Sequence, residues 1–176
     1  MPGPGDEPGE SQFAYYLYRG LFAVGRYAPR PLGRALARTA GEVSYRLMRS
    51  RRELMAAHQR RIAGGTLDGD ELERRVRGAF LSYAYYWLDS ARAPGASAAG
   101  LEASTSAEGL DHLDDAVAAG RGAILALPHL GTWDTGGAWL ASTGYPLTVV
   151  AELLRPRRLF EWFVTMRRRL GIEVIP

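Results

Sequence analysis

The stretch "AILALPHLGTWDTGGAWLA", Ala123 to Ala141, decides how the rest of the chain is read. Its apolar run ends at Pro128. His129 follows, Asp134 comes five residues later, and Gly136 and Gly137 stand just beyond. The run does not alternate polar and apolar residues, so "GAILAL" (122–127) reads as a strand buried on both faces. Pro128 and Gly131 shape a turn, and a helix is expected from about Thr132 to Ser142. In open parallel sheets ligands bind beyond the carboxyl ends of strands. His129 is expected at such an end, with Asp134 in the first turn of the following helix. A carboxylate beside an imidazole fixes its tautomer and makes the other nitrogen a better base. The free N–H groups at the helix start favour an anion. The same spacing also fits a plainer reading, in which His129 is a satisfied polar residue and Asp134 only complements the helix dipole.

Downstream, "PLTVVAE" reads as a second strand and "RPRRLFEWFVTMRRRLG" as a helix, with Pro156 near its first turn and Gly171 at its end. "IEVIP" reads as a third strand. A strand–helix–strand–helix–strand series points to a parallel sheet. Upstream, "SAEGLDHLDDAVAAG" predicts a short helix with Ser106 as N-cap and Gly120 as its stop. "APGASAAG" reads as a linker. Before it, residues 11–93 are helical and rich in arginine. "QFAYYLYRGLFAVGRYAPR" opens them, and Pro29 and Pro31 stop that helix. A second helix runs from Leu32 into "GEVSYRLMRS", followed by "RRELMAAHQRRIAG", and a further helix starts near Asp70. Residues 1–10, acidic and rich in Pro and Gly, are expected to be a disordered tail and do not resemble a secretory signal. The plan is one domain over residues 11–176. Its helical part (11–93) precedes an α/β part (101–176) that is expected to be incomplete at its C-terminus.

Composition narrows the chemistry. The chain has 176 residues, 47% hydrophobic and 23% charged, which suits one globular domain. There is no cysteine, so disulfides and Cys-based metal sites are excluded. The three histidines, His58, His112 and His129, lie in distant segments, and no metal is expected. Net charge is +3, and all 22 basic side chains are arginine. Arginine favours bidentate phosphate binding, but no zinc-finger, RNP or basic-zipper pattern occurs, so nucleic acid is not an expected partner. The longest uncharged stretch, Thr135 to Ala151, is broken by Gly136, Gly137, Gly144 and Pro146 and does not read as a membrane helix.

His129-x4-Asp134 within "LPHLGTWDTGG", followed by "VVAELLRPRRLFEWFVTMRRRLGIEVIP", resembles the HX4D block of glycerolipid and lysophospholipid acyltransferases. The two blocks together resemble the bacterial branch that holds the lipid A lauroyl/myristoyl acyltransferases, and within it the phosphatidylinositol mannoside acyltransferases of actinobacteria. The resemblance covers Gly122 to Pro176 well and the amino-terminal helices more loosely. It implies a glycerolipid acyltransferase-like α/β fold, a parallel sheet flanked by helices. It also implies transfer of a fatty acyl chain, typically palmitoyl, from acyl-CoA to a mannose hydroxyl of phosphatidylinositol mannoside. His129 would be the general base and Asp134 its orienting partner. Arg167 would help hold the acceptor, with Glu152 at the end of the second strand beside it. No cofactor beyond the acyl-CoA co-substrate is implied. Plainer roles stay open here: Arg167 on a solvated helix face, Glu152 as a cap or a partner of Arg155. Arg155, Arg157 and Arg158 fit phosphate contacts or a solvated edge. "FAYYLYRGLF" and "FLSYAYYWL" fit either helix packing or an acyl groove and membrane interface. With interleaved arginines they imply peripheral binding to an anionic membrane, on the cytoplasmic face of the inner membrane. The alternatives are another glycolipid or lipid A-type acyltransferase, with acyl-ACP as a rival donor, and a non-catalytic lipid-binding protein. Members of this family are longer, so the chain is expected to be a C-terminally truncated form, poorly active or inactive alone and prone to associate.

Overall fold

A computed structural model describes residues 12–128 and 131–176. The expected tail (1–10) and His129 lie outside the described residues. The chain divides into two compact units, one over Gln12–Arg92 and one that includes Ala93–Pro176.

The first unit is built on a hub helix. Its elements are α1 (Phe13–Tyr27), α2 (Arg30–Leu47), α3 (Arg49–Ile62) and α4 (Gly69–Arg92). The other three helices all pack against α4. Small residues make this possible. Gly33, Ala37 and Gly41 recur every fourth position of α2 and are buried, so that stripe can meet α4 closely. A Cβ at Gly41 would stand 3.1 Å from the backbone of Leu81. Arg92, at the end of α4, donates to the carbonyls of Gly25 (3.0 Å) and Ala28 (3.2 Å) and so caps α1 from outside. Glu42 on α2 takes the guanidinium of Arg77 on α4 (Nε, 2.8 Å). That hydrogen bond holds the Glu42 carboxyl below its ordinary pKa. Leu67, Leu72 and Val76 form a small core with Tyr45, Met55 and Phe80 around it. Pro29 and Pro31 do not merely stop α1. Pro29 is the N-cap of α2 and Pro31 lies in its first turn, where a missing N–H costs no helical bond.

The second unit is mixed. A 3-10 turn (Ala93–Gly95) leads to α5 (Ala98–Ser104), α6 (Leu110–Ala118), α7 (Trp133–Ser142), β1 (Leu147–Val150), α8 (Arg157–Arg168) and β2 (Ile172–Ile175). β1 and β2 pair in parallel, with Leu147 opposite Ile172 and Val150 opposite Ile175. Leu147 and Val149 share the inner face with Ile172 and Val174, while Val150 and Ile175 point outward and are exposed.

Three expectations are corrected here. Residues 122–127 form no strand, and Ile124 is fully exposed. An apolar run supplies no ladder partner of its own, and β pairing is non-local. The parallel sheet among the described residues therefore has two strands, not three. The linker is structured in part: Ser97 caps α5 by accepting from the Gly100 N–H at 3.1 Å. The N-cap of α6 is Gly109, in the left-handed region at φ 77°, and not Ser106. Among the described residues no helix is long and apolar enough to cross a membrane.

Candidate functional site

Gly131 adopts φ +65°, a turn that suits glycine, and α7 begins at Trp133. Two glycines inside a ten-residue helix lower its intrinsic stability, so packing must hold it. Gly137 shows how. A Cβ there would meet Ile172 Cδ1 at 3.0 Å and Leu147 Cδ2 at 3.3 Å. The helix thus lies directly on the start of both strands. Asp134 and Ala138, four residues apart on that packed side, are each only 2% exposed.

A carboxylate this deeply buried requires a partner. Arg167, in the last turn of α8, supplies one. Its Nε donates to Asp134 Oδ1 at 3.1 Å, and its side chain is only 13% exposed. Aromatic rings fix the guanidinium further. Its Cζ lies 4.5 Å from the centroid of Trp133 and 5.8 Å from that of Phe163, within cation–π range. Both ends of the pair also suit their helices. Asp134 sits in the first turn of α7 and Arg167 in the last turn of α8, each complementing the local dipole.

The structure therefore brings together two of the four residues singled out from the sequence, Asp134 and Arg167. His129 stands outside the described residues. Glu152 is exposed, two residues past the end of β1, and does not join the pair. The solvated-face reading of Arg167 does not hold, although it describes its neighbour: Arg168 is exposed and pairs with Glu173 at 3.0 Å. Arg157 pairs with Glu161 one turn on at 3.2 Å, on an exposed face. Sequence reasoning missed Trp133 and Phe163 as site residues. Their signals were an aromatic directly before Asp134 and another four residues before Arg167. Among the described residues no group of three or more His, Asp or Glu comes together as a metal site.

Comparison with known proteins adds the chemical context. The family model described as bacterial lipid A biosynthesis acyltransferase matches residues 10–176. A phosphatidylinositol mannoside acyltransferase of Mycolicibacterium smegmatis is 45% identical over 101 residues, which is 57% of this chain and 33% of that protein. Those of two Mycobacterium tuberculosis strains are 45% identical over 97 residues, 54% of this chain and 31% of theirs. Each match therefore spans about a third of the relative's length.

Proposed function

The chain belongs to the bacterial lipid A biosynthesis acyltransferase family, and from that premise we propose that it contributes the HX4D part of an acyltransferase. The observation that carries the reading is Asp134: a buried carboxylate held at a helix start, with its HX4D spacing to His129 intact. In this reading His129 removes the proton from an acceptor hydroxyl while Asp134 orients the imidazole and stabilises its cationic form. The oxygen attacks the thioester carbonyl, the C–S bond breaks, and the donor's thiolate leaves and takes up a proton. The chemistry uses no metal. The mycobacterial relatives' name favours phosphatidylinositol mannoside as acceptor. The donor is acyl-CoA, with palmitoyl as the chain. Glu152, exposed just past β1, serves the acceptor side. The unit β1–α8–β2 is one piece of a larger parallel sheet flanked by helices, the α/β acyltransferase architecture.

The location is the membrane surface, on the cytoplasmic face. Fifteen arginines and seven carboxylates give residues 12–92 a strong positive balance. Phe13, Leu17, Val24 and Tyr27 of α1 are exposed and share one helix face, with Arg19 and Arg26 also exposed. Such a surface favours anionic lipid.

The experiment is transfer of radiolabelled palmitate from palmitoyl-CoA to phosphatidylinositol mannoside in vesicles, with the product read by mass spectrometry. His129→Ala should lower turnover about 100- to 10,000-fold, the usual contribution of a general base. Near-normal turnover in that variant would overturn the assignment.

A further inference from the structure

We propose that Arg167 is a positioning residue that acts through Asp134 and does not itself hold the acceptor. The inference rests on the acyltransferase reading and refines one role within it. Arg167 reaches from α8 to two consecutive residues of α7. Its Nε is engaged by Asp134 Oδ1 at 3.1 Å, and Trp133 lies against the guanidinium at 4.5 Å. Phe163, one turn earlier on α8, stands at 5.8 Å. The contact is therefore made by charge and by ring at once. It fixes where the carboxylate sits and how α7 is rotated above the strands.

Position supports the same role. "RRR" at 167–169 offers three cations, yet only the first turns inward. Arg168 is exposed and pairs with Glu173, and Arg169 is exposed. An acceptor-binding cation would be expected to face solvent or the acceptor. Arg167, at 13% exposure beside a carboxylate at 2%, instead matches a residue whose ligand is Asp134. A planar fork is needed for this double duty. Lysine keeps the charge but offers neither the fixed Nε direction nor the flat face for Trp133.

The test is steady-state kinetics of Arg167→Lys and Arg167→Gln in the full chain, with two readings: transfer to phosphatidylinositol mannoside, and hydrolysis of palmitoyl-CoA without acceptor. A positioning role predicts that kcat for transfer falls about 10- to 100-fold, a part of what a general base contributes. The acceptor KM should change less than about twofold, and acceptor-free hydrolysis should fall with kcat, because both need an oriented base. In an Asp134→Asn background, Arg167→Lys should cost nothing further. A rise of about tenfold in acceptor KM with kcat and hydrolysis intact would overturn the proposal in favour of direct acceptor binding. Full additivity with Asp134→Asn would overturn it as well. The kinetics are read in a chain extended by the downstream part that its relatives carry; a wild-type extended chain without any transfer would instead defeat the acyltransferase reading and this inference with it. If Arg167→Gln does not fold, Arg167→Lys, which keeps the charge, decides.

Discussion

In residues 12–92 three helices close around α4, whereas among the described residues of 93–176 a two-stranded sheet has helices against one face and leaves Val150 and Ile175 on the other exposed. The first unit gains its stability from small residues and from arginines that reach between helices. Gly33, Ala37 and Gly41 let α2 approach α4, and Arg92 and Arg77 tie α1 and α2 to it. The second unit relies on Gly137 against the strand starts and on the buried Asp134–Arg167 pair. Its apolar residues Ile124, Leu127, Val150, Leu153 and Ile175 remain exposed. Charge differs in the same sense: fifteen arginines against seven carboxylates in 12–92, seven against nine in 93–176. The positive excess lies in the first unit, and the second holds Asp134.

The largest effect belongs to the ion pair. Asp134→Ala leaves the Arg167 cation nearly buried without the carboxylate that engages its Nε. Such a loss costs about 3–5 kcal/mol, read from urea unfolding followed by Trp fluorescence. The four tryptophans are Trp87, Trp133, Trp139 and Trp162, and three of them lie in the second unit. A loss below about 1 kcal/mol would mean that the pair is hydrated in solution, and the contrast between the units would weaken.

How much of this could be read from the chain depends on the range of the interaction. α4, α7, α8, β1 and β2 were legible because their signals are local: apolar spacing, Gly131 before α7, Gly171 after α8 and Pro156 at a helix start. Asp134 was legible as part of a short motif. Its pairing with Arg167 was not, because 33 residues separate the two and three consecutive arginines look alike in a sequence. Residues 122–127 failed for the converse reason. Their composition suits a strand, but a strand needs a neighbour, and no local signal says whether one is present. Ser97 was passed over because a run of Ala, Gly and Ser reads as linker until its serine is seen capping α5.

The next effect is in the helical unit. Gly41→Ala would put Cβ 3.0 Å from Leu81 Cδ2, 3.1 Å from Leu81 Cα and 3.2 Å from the Phe80 carbonyl oxygen. Two of these are backbone atoms, so relief needs a shift of one helix against the other and not a side-chain rotation. Overpacking of this kind costs about 1–3 kcal/mol, even though alanine favours a helix more than glycine does. Circular dichroism at 222 nm, dominated by α1 to α4, should record a lower melting temperature. An unchanged melt would show that α2 and α4 are less closely packed than the glycine stripe requires.

Acid should distinguish the units next. The Arg77 hydrogen bond holds the Glu42 carboxyl below its ordinary value in the folded unit. The unfolded chain then binds the proton more readily. The contribution is fully present above the ordinary glutamate pKa of about 4.3 and is lost as pH falls through the lowered folded value. Glu42→Gln should flatten this acid limb while leaving the helical fold in place. An acid limb of unchanged slope in Glu42→Gln would assign the sensitivity to other carboxylates.

The smallest effect tests the open side of the second unit. Ile124 is fully exposed and lies in a segment without strand pairing. Replacing it by aspartate removes no buried apolar area and buries no charge. Substitutions of that kind usually fall within about 0.5 kcal/mol, so the unfolding midpoint should hardly move. The same change in a segment docked as a central strand would place a carboxylate between two covered faces, at a cost of several kcal/mol or about the whole stability of a small unit. Hydrogen exchange separates the cases independently: amides of residues 122–127 should exchange at nearly the rate of an open chain, while those of β1 and β2 are slowed by their mutual ladder. Strong protection in 122–127 together with a large loss in Ile124→Asp would show a third strand in place. The second unit would then be closed like the first, and the difference between them would rest on charge alone.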